Sequence, residues 1–219
     1  MTSVLIIDDH PIVVQGCRHL LEEAGVATVL EAGSATTGYE LFCRDKPDIV
    51  IVDLALRENE LAGLSLIQRI KSHNPHTHIL VLSMHSDPII VRRALDAGAS
   101  GYVLKDTAAE ELLKALKVIQ EGRTYLSHDL ALQVALGRMS SRDEQLAELT
   151  PRELEMLSLL AKGKSYSDIA DELNVSYKTV VNTSSQLKQK LNVGNLAALV
   201  RASVQLLATN DSGGPRTSR

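Results

Sequence analysis

Four short apolar runs each end on a residue of the kind a phosphoryl-transfer site uses. Val4–Ile7 runs into Asp8 and Asp9, Ile49–Val52 into Asp53, Ile79–Leu82 into Ser83, and Tyr102–Leu104 into Lys105. A carboxylate can attack phosphorus, a lysine can neutralise one phosphoryl oxygen, and a hydroxyl can donate to another. Three carboxylates brought together repel one another, so the set calls for a cation. With no imidazole or thiolate in the set, Mg2+ is the expected ion, because it takes few protein oxygens, keeps several waters and accepts phosphate oxygens as further ligands. Asp53 is then the expected nucleophile, with Lys105 and Ser83 as its partners.

For these residues to meet, the runs that carry them must lie side by side. From Val4 to about Glu121 the pattern alternates apolar strands with amphipathic helices. The expected strands are Val4–Ile7, Thr28–Glu31, Ile49–Asp53, Ile79–Ser83 and Gly101–Leu104; the expected helices are Ile12–Glu23, Ala35–Arg44, Leu64–Ser72, Pro88–Ala97 and Ala108–Glu121. Strands without polar alternation suit a parallel sheet covered on both faces. Five such βα units predict a flavodoxin-like α/β fold, a five-stranded parallel sheet of order 2-1-3-4-5 whose carboxyl strand ends share one edge.

Beyond Gly122 no further strand is expected. Ser127–Met139 has helical periodicity, Ser140–Glu144 reads as an exposed linker, and helices are expected at Pro151–Ala161, Tyr166–Leu173, Tyr177–Leu191 and Leu196–Leu207. The expected division is an α/β domain over 1–122, a partly helical linker over 123–147, an all-α four-helix domain over 148–208 and a disordered tail over 209–219. Thr150, Pro151 and Glu153 form a helix start with N-cap, first-turn proline and capping-box acid. Ser167–Ser176 reads as helix, tight turn and fresh cap, the pattern of a helix-turn-helix. In the next helix Val180, Ser184, Leu187 and Leu191 share a face and should pack inward. Lys178, Thr179, Val181, Asn182, Ser185 and Gln189 are then the candidates to meet double-stranded DNA: Asn182 for adenine, Val181 for a thymine methyl, Lys178 or Ser185 for phosphate.

The whole chain agrees with two domains. Its 219 residues suffice for two cores, and its net charge of −4 excludes a generally basic nucleic-acid coat. Between residues 146 and 211 seven basic residues face seven acidic ones, so DNA binding is expected to be weak for a monomer and to need a dimer, with Leu196–Leu207 the expected dimer helix. Cys17 and Cys43, the two cysteines, have no metal-type spacing and suggest reduced thiols in a reducing compartment. No apolar run approaches the length of a membrane span and no basic leader precedes the first strand, which points to the cytoplasm.

Residues 4 to about 121 resemble the receiver domain of two-component response regulators. The family's acidic pair matches Asp8 and Asp9, its phosphoacceptor Asp53, its hydroxyl residue Ser83 and its lysine Lys105. The resemblance implies that Asp9, Asp53 and the backbone carbonyl of Ala55 hold Mg2+, with Asp8 acting through water, and that Tyr102 is the aromatic that responds to phosphorylation. It implies a sensor histidine kinase as phosphodonor, and self-catalysed phosphotransfer and dephosphorylation rather than an enzyme that turns over an external substrate. Where the family carries a proline four residues after the acceptor and a glycine eight after, this chain has Arg57 and Leu61, and its first glycine is Gly63, so the loop Arg57–Ala62 is longer.

Residues 149–208 resemble the LuxR/NarL-type DNA-binding domain through Leu149–Glu153, Ser167–Ala170 and Val175–Val180. The family commonly has lysine and histidine where this chain has Val181 and Thr183. A phosphorylation-switched transcription regulator is the expected function. The alternative is a phosphoreceiver that works mainly through protein contacts, with a weak or partner-dependent DNA module. A haloacid-dehalogenase-type phosphatase would need an acid at position 55, where Ala55 stands. His73, His76 and His78 read as part of a polar loop, with His85 beyond it, rather than as a metal site.

Overall fold

The computed structural model describes residues 2–56, 61–107, 109–136, 146 and 148–207. The expected tail 209–219, the linker segment Ser140–Glu144 and most of the loop Arg57–Ala62 lie outside the described residues. The chain divides into two compact units, Met1–Glu155 and Met156–Arg219.

The first unit is built on a fully parallel sheet. Its elements are β1 (Ser3–Ile7), α1 (Pro11–Glu23), β2 (Thr28–Ala32), α2 (Ala35–Asp45), β3 (Ile49–Val52), α3 (Ala62–His73), β4 (His78–Ser83), α4 (Pro88–Asp96), β5 (Gly101–Leu104), α5 (Ala109–Gln120), β6 (Tyr125–Leu126) and α6 (His128–Leu136). The strand order is β2-β1-β3-β4-β5-β6. The expected five-stranded order is present, and a sixth strand is added where none was expected. Tyr125 and Leu126 pair with Gly101 and Tyr102 in the same parallel sense, led in by Tyr125 N donating to Ser100 O at 3.0 Å.

Central strands dominate the core because both their faces are covered. Val4, Ile6, Ile49, Ile51, Leu80 and Leu82 pack on one face with Cys17 and Leu21 of α1 and Leu112, Leu116 and Ile119 of α5. The alternate strand residues Leu5, Ile7, Val50, Val52 and Val81 are equally buried on the opposite face. Gly38 belongs there for lack of space: a Cβ would lie 2.6 Å from Ile7 Cδ1.

The remaining helices are α7 (Pro151–Ala161), which crosses the division between the units, α8 (Tyr166–Glu172), α9 (Tyr177–Lys190) and α10 (Leu196–Leu207). The predicted capping box at Thr150 forms: Glu153 Oε2 accepts from Thr150 N at 2.7 Å and Thr150 Oγ1 from Glu153 N at 3.2 Å. A second box joins Ser165 and Asp168 at the start of α8. Between α8 and α9 the chain turns at Asn174, whose φ of 50° lies in the left-handed region that asparagine tolerates. Val180, Ser184, Leu187 and Leu191 are all buried, as their spacing predicts. Burial of the Ser184 hydroxyl is compensated by a hydrogen bond with Tyr166 Oη.

Candidate functional site

Backbone pairing brings the chemistry-bearing residues to one edge of the sheet. Asp8 N donates to Ala32 O at 3.0 Å, Asp53 N to Ile7 O at 2.9 Å, and Lys105 N to Ser83 O at 2.9 Å, so each residue continues a strand just past its last ladder pair. Because Ile7 pairs with Val52, Asp8 and Asp53 emerge side by side. The register of the core thus sets the register of the site.

Lys105 bridges the two acids. Its Nζ is 2.6 Å from Asp53 Oδ2 and 2.8 Å from Asp8 Oδ2. Asp53 Oδ1 accepts from the amide of Ala55 at 3.1 Å, which brings the backbone of residue 55 beside the carboxylate. Burial raises the Asp53 carboxyl above the ordinary range; Lys105 and the Ala55 amide pull it down, and the charge of Asp8 adds to the rise. For Lys105, burial works downward, but its contacts with Asp53 and Asp8 prevail and leave the ammonium more firmly protonated than a free lysine.

Sequence reasoning missed His10. Its Nδ1 lies 3.0 Å from Asp8 Oδ1, 3.0 Å from Asp9 Oδ1 and 3.9 Å from Asp53 Oδ2, while the ring remains largely exposed. The expectation of an imidazole-free set is therefore corrected. His10 directly follows the acidic pair and occupies the N-cap position of α1, and the strand-to-helix turn folds its ring back over the strand ends. That adjacency was the available signal.

Asp8, Asp9, His10 and Asp53 each offer a ligand atom within 4.8 Å of the others, the one such group of three or more among the described residues. Three carboxylates at this spacing fit a divalent cation in charge and donor type. The histidine-rich loop does not converge on a site. Lys71 Nζ ties it down by donating to the carbonyls of Pro75 and Thr77 at 3.0 and 2.8 Å, and the His73 ring packs edge-on against Phe42.

Ser83 and Tyr102 stand beside the acids on β4 and β5. Ser83 is fully buried, and its Oγ accepts from His85 N at 3.3 Å. The Tyr102 ring is also fully buried, and its hydroxyl donates to His85 O at 2.7 Å. Burial pushes the Tyr102 phenol far up, so it stays a donor at any ordinary pH. Both side chains thus hold the same point of the loop between β4 and α4.

Gly63 is fixed by its proximity to the backbone of Asp53 and Leu54. Its amide donates to Leu54 O at 3.0 Å, and a Cβ on it would lie 2.7 Å from Leu54 Cα and in conflict with the Asp53 carbonyl. Past the longer loop, a glycine still occupies the place where α3 passes behind Asp53.

On the helical side, Lys178, Thr179, Asn182, Ser185 and Gln189 of α9 are exposed, and Val181 is half-buried. Two hydroxyls turn inward along the helix: Thr183 Oγ1 donates to Thr179 O at 2.9 Å and Ser185 Oγ to Val181 O at 3.1 Å. Ser185 therefore has its single proton engaged and would have to exchange partners to donate to a phosphate. The charge balance is less neutral than the sequence total. Helix α9 carries Lys178, Lys188 and Lys190 and no acid, whereas Glu153 is a buried capping residue, Asp168 closes a capping box and Glu172 pairs with Lys164.

The model of the response regulator receiver domain matches residues 4–117, and that of the bacterial regulatory proteins of the luxR family matches residues 147–203. The methanol utilization control regulatory protein MoxX of Paracoccus denitrificans is 40% identical over 198 residues, which span 90% of this chain and 89% of that protein. The transcriptional activator protein ExaE of Pseudomonas putida is 34% identical over 207 residues, 93% of this chain and 96% of its own. RcsB of Salmonella enterica serovar Typhimurium, solved bound to the promoter P1flhDC in the presence of the phosphomimetic BeF3-, superposes with a TM-score of 0.67 at 33% identity, covering 93% of this chain and 98% of RcsB. With both halves matched in order and relatives aligned along nearly their full length, the chain belongs to the LuxR-type response regulators, two-component transcription regulators that join a receiver domain to a helix-turn-helix DNA-binding domain.

Proposed function

We propose that Asp53 is the phosphoacceptor and that its phosphorylation by a sensor histidine kinase controls DNA binding by α9. The observation that carries this reading is the placement of Lys105 between Asp53 and Asp8 at the strand ends. A carboxylate oxygen of Asp53 attacks the phosphorus of a phosphohistidine. The P–O bond forms as the P–N bond breaks, and the leaving imidazole takes up a proton. Lys105 neutralises charge on one transferring oxygen and the Ser83 hydroxyl donates to another.

Asp9, Asp53 and the Ala55 carbonyl would hold Mg2+, with Asp8 acting through water. The ion would supply charge neutralisation for the incoming phosphoryl group. Transfer adds about one negative charge at Asp53, and the β4–α4 loop, anchored by Ser83 and Tyr102, is the segment positioned to respond. The DNA-bound form is proposed to be a homodimer, since three lysines on one recognition helix give few phosphate contacts per copy. No helix among the described residues is long and apolar enough to cross a membrane, and a regulator that meets DNA is proposed to work in the cytoplasm.

Incubation with a small-molecule phosphodonor and Mg2+ tests the assignment: wild type is labelled and Asp53→Asn is not. Undiminished labelling of the variant removes Asp53 from the role. A mobility-shift assay with selected DNA, with and without the donor, tests the output.

A further inference from the structure

We propose that His10 is a nitrogen donor to the cation site, which makes that site a better host for imidazole-seeking divalent ions such as Ni2+, Co2+ or Zn2+ than an all-oxygen pocket is. The inference rests on the reading of the acidic cluster as a cation site and adds a ligand that changes which ions it favours.

Geometry carries the argument. Adjacent donors on one octahedral ion with bonds of about 2.1 Å stand about 3.0 Å apart, and opposite donors about 4.2 Å. His10 Nδ1 is 3.0 Å from Asp9 Oδ1, the adjacent spacing, and 3.9 Å from Asp53 Oδ2, within the span of one such ion, while its 3.0 Å contact with Asp8 Oδ1 is a hydrogen bond and Asp8 stays outside the direct ligand set. The ligand atoms of Asp9, His10 and Asp53 fall within 4.8 Å of one another, so one ion can meet the nitrogen without a change of fold.

The backbone supports the same placement. Asp8 Oδ1 accepts from the His10 amide at 2.9 Å, which fixes the turn carrying the ring; the ring makes no cap bond to α1, and coordination through Nδ1 would replace only its hydrogen bond with Asp8 Oδ1. Cys17, the nearest thiol on α1, is buried and pushed up to about 11, so it offers no competing thiolate. Imidazole favours the later first-row ions, while carboxylate, carbonyl and water suit Mg2+. Nitrogen on Nδ1 therefore separates the two classes of ion at one place.

Titration calorimetry of the full chain with Ni2+ and, separately, with Mg2+ tests the proposal on wild type, His10→Ala and Asp9→Asn. His10→Ala removes an exposed ring without a cap bond and should fold normally. In wild type, a Ni2+ equivalent that excess Mg2+ displaces should bind at least tenfold more tightly than Mg2+. His10→Ala should lose that preference, its Ni2+ affinity falling at least tenfold more than its Mg2+ affinity, and Asp9→Asn should weaken both ions. The electron paramagnetic resonance spectrum of Cu2+ at the Mg2+-displaceable site should show nitrogen coupling in wild type and lose it in His10→Ala. An unchanged Ni2+ affinity in His10→Ala, or Ni2+ that Mg2+ cannot displace, overturns the role of His10 and leaves the cation site standing. Absence of Mg2+ binding to wild type overturns the cation site itself.

Discussion

The ammonium of Lys105 lies 2.6 Å from Asp53 Oδ2, with 7% of the lysine side chain and 1% of the aspartate side chain exposed. Even with this partner, the Asp53 carboxyl is raised above its ordinary value, because burial outweighs the ion pair. The folded state therefore binds this proton more tightly than the unfolded chain does. The associated stability is fully present below the unfolded value of about 3.9 and is lost as pH rises through the folded one. At neutral pH the ionised Asp53 is a net cost to the fold. Without metal, Asp53→Asn should raise the melting temperature of the α/β unit at pH 7 by roughly 4 °C for each 1 kcal/mol relieved. The gain should shrink toward pH 4, and Mg2+ should stabilise wild type more than the variant. Thermal scans in chelator and in Mg2+ at both pH values check this; a variant less stable than wild type at pH 7 would contradict it.

Gly63→Ala should disturb the backbone at Asp53 directly. The added methyl meets the backbone of Asp53 and Leu54, which cannot rotate away as a side chain would. A loss of about 1–3 kcal/mol in urea denaturation is expected, with slower labelling of Asp53. Gly16→Ala, on the exposed face of α1 with nothing within 4 Å of the new methyl, is the control and should stabilise by about 0.5–1 kcal/mol.

Tyr102→Phe keeps the buried ring and removes the 2.7 Å donation to His85 O together with the phenol's hydrogen-bond contact with Ser83. A cost of about 1 kcal/mol is expected. Hydrogen exchange should quicken at the amides of the β4–α4 loop, His85 first, and remain unchanged in β1 and β3. Uniform loosening of the sheet would show instead that Tyr102 acts only as core.

On α9, Asn182→Ala and Lys178→Ala should fail differently. Loss of Asn182, if it reads a base, should cost about 1–3 kcal/mol on a selected site and relax the preference at one position. Loss of Lys178 should weaken all sequences alike and reduce the salt slope by about one. Binding titrations across several salt concentrations separate the two. An equal loss on every sequence for both variants would remove Asn182 from base reading.

The α/β fold was legible because each long-range requirement left a local trace. Unbroken apolar runs such as Ile49–Val52 announce burial on both faces, and the polar residue that ends each run marks the shared edge. β6 left no such trace: two residues, Tyr125 and Leu126, are too few for any periodicity, and their pairing depends on the backbone of Ser100 and β5. His10 was hidden for the opposite reason. A polar residue at a helix start reads as an ordinary N-cap, and only the turn that brings its ring over the carboxylates makes it part of the site. The inward-facing residues of α9 were readable from spacing, whereas the internal hydrogen bond of Ser185 concerns a rotamer, which sequence periodicity does not encode.

The short strand β6 also decides how the sheet meets other chains. An uncovered strand invites edge-to-edge pairing, and β5, which leads into Lys105, would be that strand if the chain left the sheet after α5. Tyr125 and Leu126 occupy the first half of its hydrogen-bonding row. At the far border β2 carries Glu31, paired with Arg18 at 2.5 Å, a charge that discourages an incoming strand. With one border part-filled and the other charged, strand addition is disfavoured as a route to self-association, and contacts between copies of this unit are left to helical surfaces.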